Sequence, residues 1–409
     1  MSRSTGGILR GSLRVAVFSD SYTPIVNGVS ISIEALVEEL RARGHSVHIF
    51  TSAFPRHKDR DANVYRMRSI RTPFTRDYPL AVPPFYGTLR QFRRHTFDII
   101  HTHTPFTVGF VGLRWAESHD LPIVSTYHTL YEKYAHYIPY FPKWYTFNKI
   151  RKHTRYYYNL CDHVIVPSEA ALRSLRRNEI RTPITIIPTG IRLNPKVTQQ
   201  EARLRVGARQ DEKMLLYVGR IAKEKNMDVL VHAAKLILDA RDDARLWIVG
   251  DGPYRAQCQM LVRNLGIGDR VLFTGFVPRS EVSQYYIASD MFVFTSMTET
   301  QGLVIGEAMA HGVPAVAVHG GGASLAVEED VNGFVVPNSP RDFAECVLRI
   351  LSNPSLHGRL SEGAKRSAKA FSMSDMCNQV LEVYESAIRQ RALPTGLSTP
   401  SDELHQITH

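Results

Sequence analysis

Residues 291–318 read MFVFTSMTETQGLVIGEAMAHGVPAVAV, and this stretch decides the fold. Residues 291–294 are an apolar run of strand length, and residues 314–318 are a second one. Between them, a polar loop leads into an apolar segment that predicts a helix starting near Gly302. A strand, a helix and another strand in so short a span predict a parallel sheet with helices packed against it.

The same alternation of strands and helices runs outward from this stretch through the whole chain. In the first half, a helix over residues 30–43 is predicted to follow the first strand and to stop at Gly44. The strands predicted in this half are residues 15–18, 47–50, 98–101, 123–127, 164–166 and 184–187. Those predicted in the second half are residues 214–218, 245–249, 271–274, 291–294 and 314–318.

A polar stretch separates these two series of strands and indicates two domains. We predict an α/β fold of two Rossmann-like, doubly wound domains that face each other across a cleft. The first domain is predicted to span residues 1–192 and the second residues 193–372. A helix over about residues 373–390 is predicted to pack back on the first domain, and the Pro/Ser/Thr-rich tail, 391–409, to be disordered. Because ligands bind at the carboxyl ends of parallel strands, the cleft is the expected active site.

The composition describes a globular protein with excess positive charge. The 409 residues are 44% hydrophobic, and 50 Lys and Arg against 39 Asp and Glu give a formal net charge of +11. This excess favours anionic partners. The four cysteines lie far apart and suggest neither a zinc site nor a disulfide framework, so we expect a cytoplasmic protein. No run approaches the roughly 18 apolar residues of a membrane-spanning helix.

Two glutamates flank the predicted helix start. Glu299 precedes it, Glu307 lies inside it, and the free amides near Gly302 can bind phosphate or sugar hydroxyls. If the whole span were helical, the two carboxylates would be roughly 12 Å apart along the axis, beyond the roughly 5 to 9.5 Å of paired hydrolase carboxylates. We therefore expect them to contact two ends of one long ligand. The alternative is a helix-start acid and a solvated face residue.

This segment, together with its flanking strands, resembles the donor-binding signature of the family 4 glycosyltransferases, which have the GT-B fold. The resemblance implies that residues 1–192 form the acceptor-side domain and residues 193–372 the nucleotide-sugar-binding domain. It also implies that Glu299 holds sugar hydroxyls and that Glu307 holds the ribose. It implies active roles in catalysis for His128, Arg220, Lys225 and Glu299. The implied donor-binding residues are Asn27, Gly28, Gly219, Arg220, Lys225, Phe276, Val277, Glu299, Gly302, Leu303, Val304 and Glu307.

The residue types suit these implied roles. Two cations at a strand end, Arg220 and Lys225, can neutralise charge on a departing diphosphate, although a solvated basic loop is the alternative. Gly28 permits close approach of the backbone to phosphates, although Asn-Gly alone indicates a turn. Phe276 would lie near the base. His128 ends a strand and would lie beside the transferred sugar, although a lone histidine there is more often structural.

Other chemistries fit the sequence less well. The segment 250–255, GDGPYR, has Arg255 where the third glycine of a dinucleotide fingerprint belongs. His101 and His103 share one face of a strand, but the nearest carboxylate points to the other face. The single Asp-x-Asp match, residues 59–61, lies in a charged loop with no strand before it. We predict no tightly bound cofactor and no essential metal, and Mg²⁺ stimulation remains open.

A narrower resemblance concerns the acceptor. Residues 102–106 and 126–139 look like those of the bacterial diacylglycerol glycosyltransferases, and residues 137–158 mix aromatic rings with cations. Such a mixture suits an anionic bilayer surface, with a packed helix of basic outer face as the alternative. No nucleic-acid module is recognised, so nucleic acid is not an expected partner. The residues expected to contact membrane or acceptor are Tyr131, Lys143, Trp144, Arg151 and Lys152.

The expected function is retaining transfer of a hexose, glucose from UDP-glucose, to 1,2-diacylglycerol by a peripheral protein on the inner face of the cell membrane. The first alternative is a GDP-mannose-dependent or other hexosyltransferase that acts on a glycolipid or a soluble acceptor. A UDP-sugar epimerase on the same fold is the second, and a binding protein without activity is the third. The joint presence of Arg220, Lys225, Glu299 and Glu307 argues against the third.

Overall fold

The computed structural model describes residues 11–71, 79–131, 142–191 and 197–392, with only the backbone described at Lys143. Each half of the chain contains one large parallel sheet flanked by helices. The predicted α/β architecture of two Rossmann-like halves is therefore confirmed. No helix in the ranges just given is both long and apolar enough to span a membrane.

The first half is built on a sheet with the strand order β3-β2-β1-β6-β7-β8-β9, and β4 pairs separately with β5. Its strands are β1 (Arg14–Ser19), β2 (Ser46–Ser52), β3 (Val64–Met67), β4 (Ser69–Ile70), β5 (Leu80–Ala81), β6 (Ile99–Thr102), β7 (Ile123–Thr126), β8 (His163–Val166) and β9 (Ile184–Ile186). Its helices are α1 (Gly28–Ala42), α2 (Tyr86–Phe92), α3 (Thr107–Ser118), α4 (Lys143–Tyr158) and α5 (Glu169–Arg177).

The second half is built on a sheet with the strand order β12-β11-β10-β13-β14-β15. Its strands are β10 (Lys213–Val218), β11 (Ala244–Val249), β12 (Val271–Gly275), β13 (Met291–Phe294), β14 (Ala315–Val318) and β15 (Gly333–Val336). The helices that follow in chain order are α6 (Gln199–Val206), α7 (Met227–Ala240), α8 (Arg255–Asn264), α9 (Arg279–Ala288), α10 (Leu303–Ala310), α11 (Pro340–Leu351), α12 (Pro354–Ala368) and α13 (Met373–Ala392).

Each sheet has a topological switch point where the strand order reverses. In the first sheet β1 lies between β2 and β6, and in the second β10 lies between β11 and β13. Loops that leave such neighbouring strands diverge to opposite faces and open a crevice at the carboxyl end of the sheet. The switch points therefore decide which loops can form a site: those after β1 and β6, and those after β10 and β13.

The last helix, α13, returns to the first sheet. Its apolar face, which includes Val380 and Tyr384, packs in one cluster with Val15 and Ile33 of the first domain. The helix runs to Ala392, so residues 391 and 392, which were predicted to belong to the disordered tail, are helical. Arg391 donates a hydrogen bond of 2.9 Å to Asp120, which anchors this end of the helix. Residues 393–409 lie outside the described residues.

The chain crosses between its two halves twice, and the crossings lie side by side. The backbone N–H of Ile191 donates to the carbonyl of Phe371 at 2.7 Å, and Ile191 forms an isolated parallel bridge with Ser372. A side chain at Gly190 would place its Cβ 2.8 Å from the Cα of Met373, which is too close for any residue but glycine. The predicted boundary after residue 192 falls in 192–196, outside the described residues.

Candidate functional site

The start of α10 is an open set of backbone donors. Gly302 caps the helix in the left-handed conformation, φ 69°, and a Cβ there would lie 2.5 Å from the Cβ of Ala323. No side chain caps this helix and its first turn contains no acid. The amides of Leu303 and Val304 thus have no acceptor within the described chain, and such amides bind phosphate or hydroxyl oxygens.

Three consecutive glycines support the loop that leads into α10, and our sequence reasoning missed them. They are residues 320–322, separated from the end of β14 by His319. The N–H of Gly322 donates to the carbonyl of Glu299 at 2.6 Å. A Cβ on Gly322 would lie 1.6 Å from the carbonyl oxygen of Thr300. The sequence does contain a signal for this contact, since a run of glycines near the end of a strand indicates that two backbones approach closely.

Lys225 and Glu299 form an ion pair beside the α10 start. The Lys225 Nζ donates to Glu299 Oε1, although the residues lie on the separate loops that follow β10 and β13. The Lys225 side chain is 14% exposed and the Glu299 side chain 23% exposed. Partial burial strengthens such a pair and reduces screening by salt. The structure therefore brings together two residues that the sequence could associate only through a family resemblance.

Further polar residues that the sequence analysis missed hold this pair in place. Asn226, in the left-handed conformation at φ 59°, donates from Nδ2 to the carbonyl of Thr295 at 3.2 Å. Thr295 Oγ1 donates in turn to the carbonyl of Lys225 at 3.1 Å. Ser296 Oγ donates to Glu299 Oε1 at 3.4 Å. These hydrogen bonds join the loop after β10 to the residues that follow β13, and so they hold Lys225 and Glu299 next to each other.

Glu307 lies one helical turn inside α10 and is held by a buried tyrosine. Tyr286 of α9 donates its hydroxyl to Glu307 Oε2 at 2.9 Å. Burial raises the pKa of Glu307, while the Tyr286 hydrogen bond and the nearby Arg279 oppose this rise. The carboxyl group has a second oxygen without a hydrogen-bond partner in the described chain, so it can accept a bond from a ligand hydroxyl.

The loop after β10 presents Gly219 and Arg220. Gly219 has a φ of 153°, and its N–H donates to the carbonyl of Val249 at 3.0 Å. The Arg220 side chain is exposed and forms no ion pair within the described residues. In the neighbouring loop, a Cβ at Gly250 would lie 2.0 Å from the carbonyl oxygen of Gly219. The glycines of the GDGPYR segment thus allow two loops to pack and form no nucleotide fingerprint.

Phe276 and Val277 follow β12, at the edge of the second sheet where the parallel strands β10 and β13 also end. The Phe276 ring is 65% exposed, whereas Val277 is half-buried against the core of that domain. An exposed ring on a fixed backbone is a surface on which a planar base can stack.

Asn27 and Gly28 begin α1 in the first domain. Asn27 Oδ1 accepts from the amides of Val29 and Ser30, at 3.0 and 2.9 Å, as an N-cap. This cap occupies the amides that would otherwise attract phosphate, in contrast to the open start of α10. Gly28 is exposed, and a Cβ there would meet no atom within 4 Å, so its open face remains accessible to a ligand.

His128 lies just after β7 and contacts the second domain across the cleft. Thr300 Oγ1 donates to the carbonyl of His128 at 2.7 Å. Ser168 donates its hydroxyl to the carbonyl of Thr300 at 2.5 Å, and Gln301 bonds to the backbone of Thr189. The loop before α10 is thus fastened to the first domain at three points. Burial lowers the pKa of His128 to about 3, which keeps the imidazole neutral.

The outer face of α4 carries aromatic and basic side chains. Trp144 is 68% and Tyr156 62% exposed, and Arg151 donates to the carbonyl of Arg177 at 2.9 Å. A groove of about 430 Å³ is lined by Trp144, Tyr145, Asn148, Lys149, Arg151, Lys152, Arg155, Asn178 and Glu179.

Not every aromatic residue counted for this surface belongs to it. Tyr157 and Tyr158 are fully buried in the core of the first domain, because they lie on the inner face of α4. Tyr131 is half-buried and packs edge-on against Phe106, with ring centroids 5.1 Å apart. Residues 132–141 and the Lys143 side chain lie outside the described residues.

No group of three or more His, Cys, Asp or Glu side chains suited to a metal occurs in the described ranges. Both acids of the Asp-x-Asp match are engaged by arginines: Asp59 by Arg66 and Asp61 by Arg41, each at 2.6 Å. They form structural ion pairs at the edge of the first sheet. The effect of Mg²⁺ on activity stays a prediction.

Comparison with known proteins identifies matching families and relatives. A family model described as Glycosyltransferase Family 4 matches residues 26–194, and one described as Glycosyl transferases group 1 matches residues 198–367. An alpha-monoglucosyldiacylglycerol synthase of Streptococcus pneumoniae is 36% identical over 75% of this chain and 71% of its own. A protein of the same name from Acholeplasma laidlawii is 31% identical over 88% of this chain and 93% of its own.

The fold is shared with a solved structure. The sucrose-phosphate synthase from Thermosynechococcus elongatus superposes with a TM-score of 0.77 at 24% identity, covering 92% of this chain and 100% of that one. The chain has the GT-B fold. Its ion pair and its open helix start both lie on loops at the switch point of the second sheet, after β10 and β13. From fold, family match and relatives together, this chain belongs to the family 4 glycosyltransferases and is a hexosyltransferase.

Proposed function

We propose that the protein transfers glucose from UDP-glucose to the free hydroxyl of 1,2-diacylglycerol, with retention of anomeric configuration, at the inner face of the cell membrane. The observation that carries the proposal is the open start of α10 with the Lys225–Glu299 pair beside it. The names of the two relatives support glucose as the sugar and diacylglycerol as the acceptor.

The parts of the nucleotide sugar match successive groups of the second domain. The base stacks near Phe276, and the ribose hydroxyls bind Glu307, whose other oxygen is held by Tyr286. The diphosphate binds Arg220 and the amides that start α10, because charge-assisted hydrogen bonds to anions are short and strong. The sugar hydroxyls then reach Glu299, whose carboxylate Lys225 holds in position.

The reaction takes place on one face of the sugar. The bond between the anomeric carbon and the diphosphate oxygen breaks, and the acceptor hydroxyl oxygen bonds to that carbon from the same side. The hydroxyl proton passes to the departing diphosphate oxygen. Arg220 and Lys225 stabilise the negative charge that grows on the leaving group, and no side chain acts as a covalent nucleophile. Mg²⁺ stimulates without being required.

The acceptor approaches along the first domain. His128 and α4 both belong to the segment that connects β7 with β8. Their closeness in the chain supports a sugar site near a helix that faces the membrane. Each cation near an anionic surface contributes about 1 kcal/mol of binding free energy. Exposed rings such as Trp144 suit the interface between headgroups and acyl chains.

The donor and the product are tested together. Purified protein is incubated with UDP-glucose, UDP-galactose or GDP-mannose and with diacylglycerol in anionic liposomes, and nucleotide release and product configuration are measured. We expect UDP release from UDP-glucose and an α-linked glucosyl lipid. A β-linked product would refute retention. Interconversion of UDP-sugars without lipid would identify an epimerase, and release from GDP-mannose alone would replace the proposed donor.

The membrane surface is tested by charge reversal. Lys152→Glu changes the local charge by two units, so it should weaken cosedimentation with anionic vesicles by about 30-fold, the equivalent of roughly 2 kcal/mol. The matched control is Arg341→Glu, which reverses one charge on α11 of the other domain and should not alter binding. Equal binding of both variants, or equal binding to neutral and anionic vesicles, would remove the membrane role of α4.

A further inference from the structure

Three histidines lie together where β6 and β7 end. His101 is on β6 and His103 directly follows it, while His128 follows β7, the neighbouring strand. His103 Nδ1 lies 2.9 Å from His128 Nε2, and the two rings stack with centroids 5.2 Å apart. His101 bonds to Tyr384 and Thr126, at 2.6 and 2.7 Å, and its ring packs on that of His103 with centroids 4.0 Å apart. Within this packed cluster, the hydrogen bond between His103 and His128 is a direct one that does not involve His101.

Both members of this hydrogen bond are neutral. Burial lowers the pKa of His103 well below its ordinary value and that of His128 to about 3. A neutral imidazole carries its proton on only one of its two nitrogens. One of the two residues must therefore donate and the other accept, and this choice decides which nitrogen of His128 carries a proton.

The burial of His103 decides the direction of the bond. Its Nε2 is buried and has no hydrogen-bond partner. A proton on that nitrogen would leave a buried donor unsatisfied, which costs more than leaving a lone pair unsatisfied. The proton therefore lies on Nδ1 of His103, which donates to Nε2 of His128. His128 then carries its own proton on Nδ1, for which the described chain provides no partner.

We propose that His103 is a positioning residue that holds His128 in the tautomer with Nδ1–H, so that this group donates a hydrogen bond to the transferred hexose. The role in transfer rests on the proposed function, whereas the tautomer does not. Thr300 fixes the backbone of His128 from the other domain, so the residue is held at both ends. Because His128 Nδ1–H can only donate, the sugar oxygen that it contacts must act as a hydrogen-bond acceptor.

The tautomer is measured first, by ¹⁵N NMR of histidine-labelled protein without substrate, with the His128 signals assigned by their loss in His128→Gln. We expect Nδ1 of His128 to be protonated and Nε2 to be unprotonated. The opposite assignment, or an equal mixture, would overturn the inference. Because this measurement needs neither donor nor acceptor, its result is independent of whether diacylglycerol is the acceptor.

Two variants then test the role of His103. His103→Leu removes the donor, and we expect a mixture of His128 tautomers and a kcat lowered about fivefold to tenfold, with little change in the donor KM. His103→Asn keeps an N–H near the same position and should restore both the tautomer and most of kcat. Tyr384→Phe, which disturbs only the His101 contact, is the packing control.

The outcomes separate positioning from packing. If His103→Leu keeps the wild-type tautomer and kcat, or if Tyr384→Phe lowers kcat as much as His103→Leu does, His103 has no positioning role. If His103→Leu does not fold, His103→Asn decides: a lost Nδ1–H tautomer in that folded variant would also refute the proposal. Nucleotide release by donor hydrolysis replaces transfer as the activity if no lipid product forms.

Discussion

Replacing Gly302 by alanine tests whether the open start of α10 is the donor site. An alanine at φ 69° carries the left-handed penalty of about 1 to 2 kcal/mol. Its Cβ would also lie 2.5 Å from the Cβ and 2.8 Å from the Cα of Ala323. Overpacking of this kind costs about a further 1 to 3 kcal/mol. We expect Gly302→Ala to lower the free energy of unfolding by about 2 to 5 kcal/mol.

The chain offers a matched control for the backbone penalty alone. Gly207 caps the end of α6 in the same domain with a φ of 77°, and a Cβ there would meet no atom within 4 Å. Gly207→Ala should therefore lose only the left-handed penalty, about 1 to 2 kcal/mol. The difference between the two variants in urea denaturation, followed by circular dichroism, isolates the contact with Ala323.

The same pair of variants separates stability from function. To relieve the overlap, the start of α10 must move away from Ala323, which misplaces the amides of Leu303 and Val304. Loss of one hydrogen bond to a charged ligand corresponds to about 1.5 to 3 kcal/mol, so the donor KM should rise about tenfold to a hundredfold. Gly207→Ala should leave KM unchanged. Equal losses of stability and equal KM values in both variants would refute this account of α10.

Three further outcomes are expected. Tyr286→Phe should raise the donor KM about tenfold, since the Glu307 carboxyl group loses the only hydrogen bond that the described chain gives it. Tyr285→Phe, one residue away, should leave KM unchanged, and equal KM values in the two variants would contradict the ribose role. Burial lowers the pKa of His101 to about 3, so this group binds a proton in the unfolded chain below about pH 6.5 but stays neutral when folded. The free energy of unfolding should therefore decrease as the pH falls from 6.5 towards 4, by about 1.4 kcal/mol per pH unit from this residue, and His101→Gln should show a shallower slope in urea titrations; an unchanged slope would rule this group out. Arg220→Ala should lower kcat by about two orders of magnitude in nucleotide-release assays with saturating donor, and an effect on KM alone would assign Arg220 to binding.

The sequence predicted the order of the elements well because buried parallel strands are short apolar runs bounded by loops. It missed β3, whose residues Val64–Met67 are mostly half-buried at a sheet edge and so lack a clear apolar pattern. It missed β15 because the strand begins with Gly333, where a Cβ would lie 1.9 Å from the carbonyl oxygen of Ala315. That glycine is required by the close approach of β14, which only the sheet order reveals.

Contacts between distant residues were beyond what spacing can predict. The Lys225–Glu299 pair and the His103–His128 bond both join loops that are neighbours only because of strand order. By contrast, the burial of Tyr157 and Tyr158 was readable, since they share a helix face with the buried Thr154. Counting aromatic residues without regard to helical period assigned both to the surface.

The paired crossings at Ile191 and Ser372 have a mechanical consequence for the two domains. α13 is anchored on the first sheet, and the two connecting segments are joined by a backbone hydrogen bond, so the domains are tied together at that edge. We expect any opening of the cleft to resemble a wedge, with displacement increasing with distance from the crossings. Loops far from this edge travel furthest, so fluorescent labels there would report opening, and a chain cut before α13 would lose this constraint and expose the apolar face of α1.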